Sequence, residues 1–402
     1  MDAFHSAHLK ERDPRAAHPS PPRRRTPVAA APLEPMHERC ALQNYSLAQN
    51  SLYRAPRNDP TPFVDIATVI AGLGSTPQSG FVVDLGAGVR DSDPCFPLFD
   101  AGYAGLMVDG DPAQRPKMRQ RIPSSRVAQE IALLSPANVA GMLRAAGAPS
   151  VPDLVKIDID SFDCAVIAAL LDAYKPKAIV MEANIHFPPP MRFALLRADR
   201  YDSERRGCAY GCSLAYQAAL LRSYGYTLLQ LEWNNAIYVR ADAAAPFAKA
   251  GMPHLGDVCA HYLRGFAARR GVYAAYPFWA PLAKGHGVGS HPDKPFGTAG
   301  HAAATQQPPA ELLRTAKQHF KRYASRYGGR TFVLSAAPAP AAASLLEHHA
   351  WRLDPGGELA ALNATEHARA RRAARPVSAA PSAAATPVPP QAWHNRLSKF
   401  LG

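Results

Sequence analysis

The sequence predicts an α/β fold: a doubly wound, Rossmann-like, mostly parallel sheet with a C-terminal antiparallel β-hairpin. Three observations predict it. Five short apolar runs alternate with helical patterns, the mark of a parallel sheet with helical crossovers. The first run ends in a glycine turn, Asp84-Leu85-Gly86-Ala87-Gly88, and the second ends in an acid, Asp109. Two β-rich runs flank Trp233-Asn234-Asn235. Asn tolerates positive φ, so those runs read as a hairpin.

The strand runs are FVVDL (81–85), GLMVD (105–109), RVAQEIAL (126–133), DLVKIDI (153–159) and KAIVMEA (177–183). Each is short enough for a strand buried on both faces. Between the last two, Phe162, Val166, Leu170 and Tyr174 recur at spacings of four, one face of a helix. Ser213 is placed to cap a later helix carrying Leu214, Gln217, Leu221 and Tyr224. The hairpin is YTLLQLEWNNAIYVR (226–240). A further helix at 311–327 puts Leu312, Ala316, Phe320, Tyr323 and Tyr327 on its apolar face. Its opposite face carries Arg314, Lys321 and Arg322, read as a solvated face.

The chain has 402 residues and 39 prolines, and the prolines sit unevenly. PSPPRRRTP near the start and PVSAAPSAAATPVPP near the end read as low-complexity arms. The expected division is a disordered arm at 1–40, a Rossmann domain at 41–245, a helical extension at 246–335 packing on it, and a largely disordered tail at 336–402. The formal net charge is +13. No dense Lys/Arg block interleaves with aromatics, which argues against a nucleic-acid partner. No apolar run reaches the roughly 18 residues a membrane span needs. No secretory h-region is visible at the N-terminus. Six cysteines are too sparse for a disulfide scaffold. The setting expected is reduced and intracellular, with a cytoplasmic location. Cys208 and Cys212 have no second pair at zinc spacing, so no zinc site is expected.

Ligands of doubly wound sheets sit beyond the carboxyl ends of the strands. At the first end, Gly86 and Gly88 let the backbone approach a ligand closely. The third glycine of the dinucleotide fingerprint is missing, because position 91 is Asp. Asp109 lies about 20 residues on, where an acid can accept hydrogen bonds from ribose hydroxyls. The fourth run ends in Asp158-Ile159-Asp160-Ser161-Phe162-Asp163, and strand alternation would put Asp158 and Asp160 on one face. The fifth ends in Glu182-Ala183-Asn184, with His186 following. Neighbouring strands would bring these acids to one rim, where carboxylates share a proton or bind a hard cation. The alternative is structural: Asp163 caps a helix and Asp158 accepts backbone N–H groups.

VVDLGAG, MVDGDP, LVKIDID, IVMEAN and LLQLEWNNAIYVR together resemble a class I S-adenosylmethionine-dependent methyltransferase. Within that class KIDIDSFD is similar to the FkbM-type group, with EANIHFPPPMRF and YGCSL marking a branch of it. The resemblance covers about 40–335. It implies S-adenosyl-L-methionine bound by Asp84, Gly86, Gly88, Asp109 and Asp158. It implies methyl transfer to a hydroxyl of a small molecule or sugar near Asp158, Asp160 and Glu182. Asp160, Glu182 and His186 are the candidate catalytic bases. A divalent cation on Asp158 and Asp160 is the other way to activate a hydroxyl. One departure from the family stands out. Val89-Arg90-Asp91-Ser92-Asp93 replaces its usual small or glycine-rich continuation after Gly88. Two other classes fit parts of the pattern. Asp109-x-Asp111 and Asp158-x-Asp160 look like the DxD pair of a metal-dependent glycosyltransferase, and a non-catalytic binding module would keep the fold alone.

Overall fold

The computed structural model describes residues 63–89, 93–123, 125–187, 189, 191–198, 209–252, 255–262, 264–265, 309–322, 324, 328–335, 350–353 and 359–361. The expected arm at 1–40 and the tail beyond 361 lie outside the described residues, as does Cys208.

Five strands match the expected runs: β1 (Phe81–Leu85), β2 (Ala104–Asp109), β3 (Val127–Ile131), β4 (Leu154–Ile157) and β5 (Ala178–Glu182). β1, β4 and β5 are buried along their whole length. That explains their continuous apolar reading, since both faces are covered. Alternate residues feed two cores. Val83, Leu85, Val155, Ile157, Ile179 and Met181 face one layer. Val82, Leu154, Ala178 and Val180 face the other.

The hairpin forms as expected, from β7 (Tyr226–Glu232) and β8 (Asn235–Arg240). The sheet order is β3-β2-β1-β4-β5-β8-β7. β8 pairs antiparallel with both β5 and β7, while β3, β2, β1, β4 and β5 pair in parallel. The order reverses between β1 and β4, the switch point at which such sheets bind ligands. Leu85 is in register with Val108 on one side and Ile157 on the other. The loops after β1, β2 and β4 therefore open at one level. The helix Asp163–Leu171 lies between β4 and β5, and Ser213 caps the helix Leu214–Ser223 by accepting from Tyr216 N. In the helix Pro309–Arg322, Ala316 and Phe320 are fully buried, while Arg314, Lys321 and Arg322 are exposed.

Three expectations are corrected. β6 (Arg192–Ala198) lies in a second, four-stranded antiparallel sheet of order β11-β10-β9-β6. Its partner β9 (Arg330–Ser335) falls in the stretch expected to be helical, and they pair from Arg192↔Ser335 to Ala198↔Arg330. β10 (Ala350–Leu353) and β11 (Leu359–Ala361) fall in the stretch expected to lack structure. The third concerns the cysteines. Cys164 and Cys212 form a disulfide, and Cys259 is disulfide-bonded as well. Sparse cysteines too few for a scaffold still pair when the fold brings two together. Among the described residues, no helix is long and apolar enough to cross a membrane.

Candidate functional site

A cavity of about 670 Å³ opens at the switch point. Gly86, Gly88, Asp109, Asp158, Asp160 and Glu182 all line it. Asp84 and His186 are not among its lining residues.

The glycine turn is anchored from the side by β2. Gly86 N and Ala87 N both donate to Val108 O, at 2.8 and 2.9 Å. The two glycines do different work. Gly86 has φ +86°, and a Cβ there would sit 1.8 Å from Asp158 O, so this glycine lets β1 and β4 close together. A Cβ on Gly88 would meet nothing within 4 Å, so this glycine faces open space in the cavity. Asp109 is half-buried. Its Oδ1 accepts from Asp111 N at 2.7 Å, and burial raises its pKa.

Asp84 is fully buried beneath the turn and is not among the residues lining the cavity. It pairs instead with Lys156, whose Nζ lies 3.0 Å from Asp84 Oδ1 and 2.9 Å from Asp93 Oδ2. The same ammonium donates to Gly86 O at 2.8 Å. Asp84, Asp93 and Cys95 bring ligand-type atoms within 4.8 Å of one another, and Lys156 supplies the cation among them. Burial pushes the Asp84 carboxyl upward, with Lys156 opposing. Burial alone would lower the Lys156 pKa, but Asp84 and Asp93 outweigh it, so the ammonium stays charged.

At the rim, Asp158, Asp160 and Glu182 each place a carboxylate oxygen within 4.8 Å of the others. The convergence is not the work of strand alternation. β4 ends at Ile157, and Asp160 takes left-handed backbone with φ 55°. Asp163 holds that turn in place. Its Oδ1 accepts from Ile159 N at 2.9 Å and its Oδ2 from Ser161 N at 3.1 Å. Asp163 therefore has a structural role, and burial lifts its pKa to about 6. Glu182 Oε1 accepts from Asn234 Nδ2 at 2.6 Å. Burial, then Asp158 and Asp163, hold the Glu182 carboxyl well above the usual range.

His186 also lies outside the cavity lining. It is buried beside Tyr210, ring centroids 6.2 Å apart and edge-on. Burial, then His319, push its pKa down to about 3. Conversely, Lys156 stood in the sequence only as part of the fourth strand run, and Asp93 only as part of an atypical loop. Trp233 and Asn234 read as turn residues, yet both line the cavity. The positive φ in that turn falls on Trp233, at 57°.

No protein-family model and no curated protein matches the chain. Among solved structures, the chain is similar to an S-adenosylmethionine-dependent methyltransferase from Thiobacillus denitrificans in complex with S-adenosyl-L-homocysteine. The identity is 17% over 44% of this chain and 71% of that one, with a TM-score of 0.26. It is similar to a 1,6-didemethyltoxoflavin-N1-methyltransferase from Burkholderia thailandensis, at 18% identity over 53% and 93% of the two chains, with a TM-score of 0.29. It is also similar to a precorrin-6y C5,15-methyltransferase from Geobacter metallireducens GS-15. There the identity is 13% over 43% and 84%, with a TM-score of 0.27.

Proposed function

We propose that the chain is a class I S-adenosyl-L-methionine-dependent methyltransferase of the FkbM-like type. Its acceptor is a hydroxyl of a small molecule or sugar. One observation carries the reading. The open Gly88 position, Asp109 and the carboxylates of Asp158, Asp160 and Glu182 line a single cavity at the switch point.

These residues fit a nucleoside ligand. Gly88 leaves room for backbone approach, and Asp109 offers a carboxylate at the end of β2 for ribose hydroxyls. When bound, S-adenosyl-L-methionine supplies a methyl group already activated by its sulfonium. This chain must then orient the acceptor, exclude water and take a proton. Asp160 is the group assigned to accept that proton. Glu182, held by Asn234 and beside Asp158 and Asp160, would orient the acceptor hydroxyl. In a second version of the same site, Asp158 and Asp160, with Glu182 beside them, would hold a divalent cation, which would lower the acceptor's pKa. The three oxygens within 4.8 Å favour keeping that version.

The glycosyltransferase reading is weaker at its first DxD pair. Asp109 and Asp111 are engaged locally, with Asp111 accepting from Ala113 N and Gln114 Nε2. Calorimetry on the full chain tests the choice. Saturable binding of S-adenosyl-L-methionine, without binding of a uridine diphosphate sugar, supports methyl transfer. The reverse pattern, or binding of neither, overturns it. Chelation that abolishes transfer, with recovery on adding magnesium, selects the cation version.

A further inference from the structure

The atypical continuation after Gly88 has a structural counterpart beneath the glycine turn. Lys156 Nζ donates to two acceptors, Gly86 O at 2.8 Å and Asp93 Oδ2 at 2.9 Å, and forms an ion pair with Asp84 Oδ1 at 3.0 Å. Asp93 is held on both sides. Its second oxygen, Oδ1, accepts from Cys95 N at 2.8 Å, just ahead of the helix Phe96–Asp100. One buried ammonium thus joins the start of the loop, at Gly86, to its end, at Asp93. Lys156 and Asp93 also line the cavity, while Asp84 anchors the ammonium from below.

The dinucleotide fingerprint uses a third glycine so that the helix after the turn can pack closely on the strand. This chain has Asp91 at that position. A buried ion pair is a poor source of net stability, because desolvation offsets its attraction. It is a good source of geometry, since breaking one side leaves an uncompensated charge.

We propose that Lys156 and Asp93 form a buried clamp that fixes the glycine turn from beneath and so sets the cavity's affinity for its nucleoside ligand. Both are positioning residues: they act through the backbone of Gly86 and the loop that ends at Asp93. The clamp rests on the methyltransferase reading only for the identity of that ligand. Its mechanical part stands on the contacts alone.

The test uses the full chain and two readouts. Hydrogen exchange over residues 81–96 reports the loop without ligand, and calorimetry reports affinity for S-adenosyl-L-homocysteine. Asp93→Asn and Lys156→Met are each expected to raise exchange in that stretch at least tenfold, leaving β5 and the hairpin protected. Each is expected to weaken the ligand at least tenfold. The double variant should lose no more affinity than the worse single one, because both remove the same link. Val139→Ala, in the core away from the cavity, should lower stability and leave affinity unchanged. Wild-type exchange at 81–96 in the single variants, or additive losses in the double, overturns the clamp. If Lys156→Met does not fold, Asp93→Asn decides alone. If the wild-type chain binds no S-adenosyl-L-homocysteine, the methyltransferase reading fails, and the exchange arm still decides the clamp.

Discussion

Asp160 and Trp233 both hold left-handed backbone, at φ 55° and 57°, and both line the same cavity. They are the two non-glycine residues with positive φ among those described. Such backbone costs about 1–3 kcal/mol for an ordinary residue and clusters where the surrounding fold enforces it for a purpose. Here it aims one carboxylate and one indole-bearing turn at a shared space.

Replacing Asp160 separates the backbone from the side chain. Asp160→Gly should keep folding stability within about 1 kcal/mol, because glycine enters this region freely while gaining freedom when unfolded. Methyl transfer should nonetheless collapse. Asp160→Val should cost a further 1–3 kcal/mol or so, since a β-branched residue is strained there. Urea melts of both variants check this. Equal stability of Gly and Val, or wild-type transfer by the glycine variant, would count against the site as drawn.

Asp109 calls for a gentler change, because its Oδ1 also holds Asp111 N. Asp109→Asn keeps an oxygen for that turn and removes the charge. The expected loss in S-adenosyl-L-methionine affinity is about 1.5–3 kcal/mol, the range for a hydrogen bond to a charged group. That is roughly ten- to a hundredfold in Kd. Calorimetry showing unchanged affinity in a folded variant removes Asp109 from the ligand site.

Glu182 should write itself into the pH dependence of stability. Its carboxyl is raised in the folded chain, so the folded state binds more protons than the unfolded one above the ordinary value of 4.5. Its contribution is complete below that value and is lost as pH rises towards the folded pKa. Glu182→Gln keeps an oxygen for Asn234 Nδ2 and cannot ionise. The variant should match the wild type near pH 4 and become progressively more stable than it from pH 5 to 8. Denaturant titrations across that range decide, and a variant less stable than wild type at pH 8 contradicts the raised carboxyl. Divalent cation that stabilises the wild type at pH 8 but not the variant supports the cation version.

His186 runs the other way. Its folded pKa of about 3 lies below its ordinary 6.5. Stability from the neutral imidazole is complete above 6.5 and falls as pH drops towards 3. Histidine-selective NMR should show no titration of His186 between pH 8 and 5. A midpoint near 6.5 would return it to the list of bases.

What the sequence made legible follows from the range of the forces involved. β1, β4 and β5 are short runs covered on both faces, and the helix Asp163–Leu171 buries Val166 and Leu170 one turn apart, so local pattern suffices. β6 escaped because its pairing with β9 joins residues more than a hundred positions apart. β10 and β11 are four and three residues long, too short to show a period. Asp158, Asp160 and Glu182 were readable as acids at strand ends. The left-handed turn that joins them was not, since it depends on Asp163 accepting Ile159 N and Ser161 N. The burial of Asp84 was hidden for a similar reason. Its partner Lys156 lies on another strand, and sequence shows neither the contact nor the burial.

The disulfide between Cys164 and Cys212 braces that same turn from behind. Cys164 follows Asp163, and Cys212 bridges to Ala183 and Ala194, next to Glu182 and on β6. Asn184 N donates to Cys212 O at 2.8 Å, and Gly211 N donates to Ser161 O. The bond closes a loop with a sequence separation of 48. On the chain-entropy account, a loop of that length is worth about 4 kcal/mol, and measured values commonly run to about half. Cys164→Ala with Cys212→Ala should therefore lower stability by about 2–4 kcal/mol. The double variant is preferable to a reductant, which would also open the bond at Cys259. Because the bond lies behind the acids and not under the glycine turn, methyl transfer should fall more than affinity for S-adenosyl-L-homocysteine. Urea melts, calorimetry and a transfer assay on the double variant check the three parts. Wild-type stability, or a loss of cofactor affinity larger than the loss of transfer, would show that the bond does not act through the turn bearing Asp160.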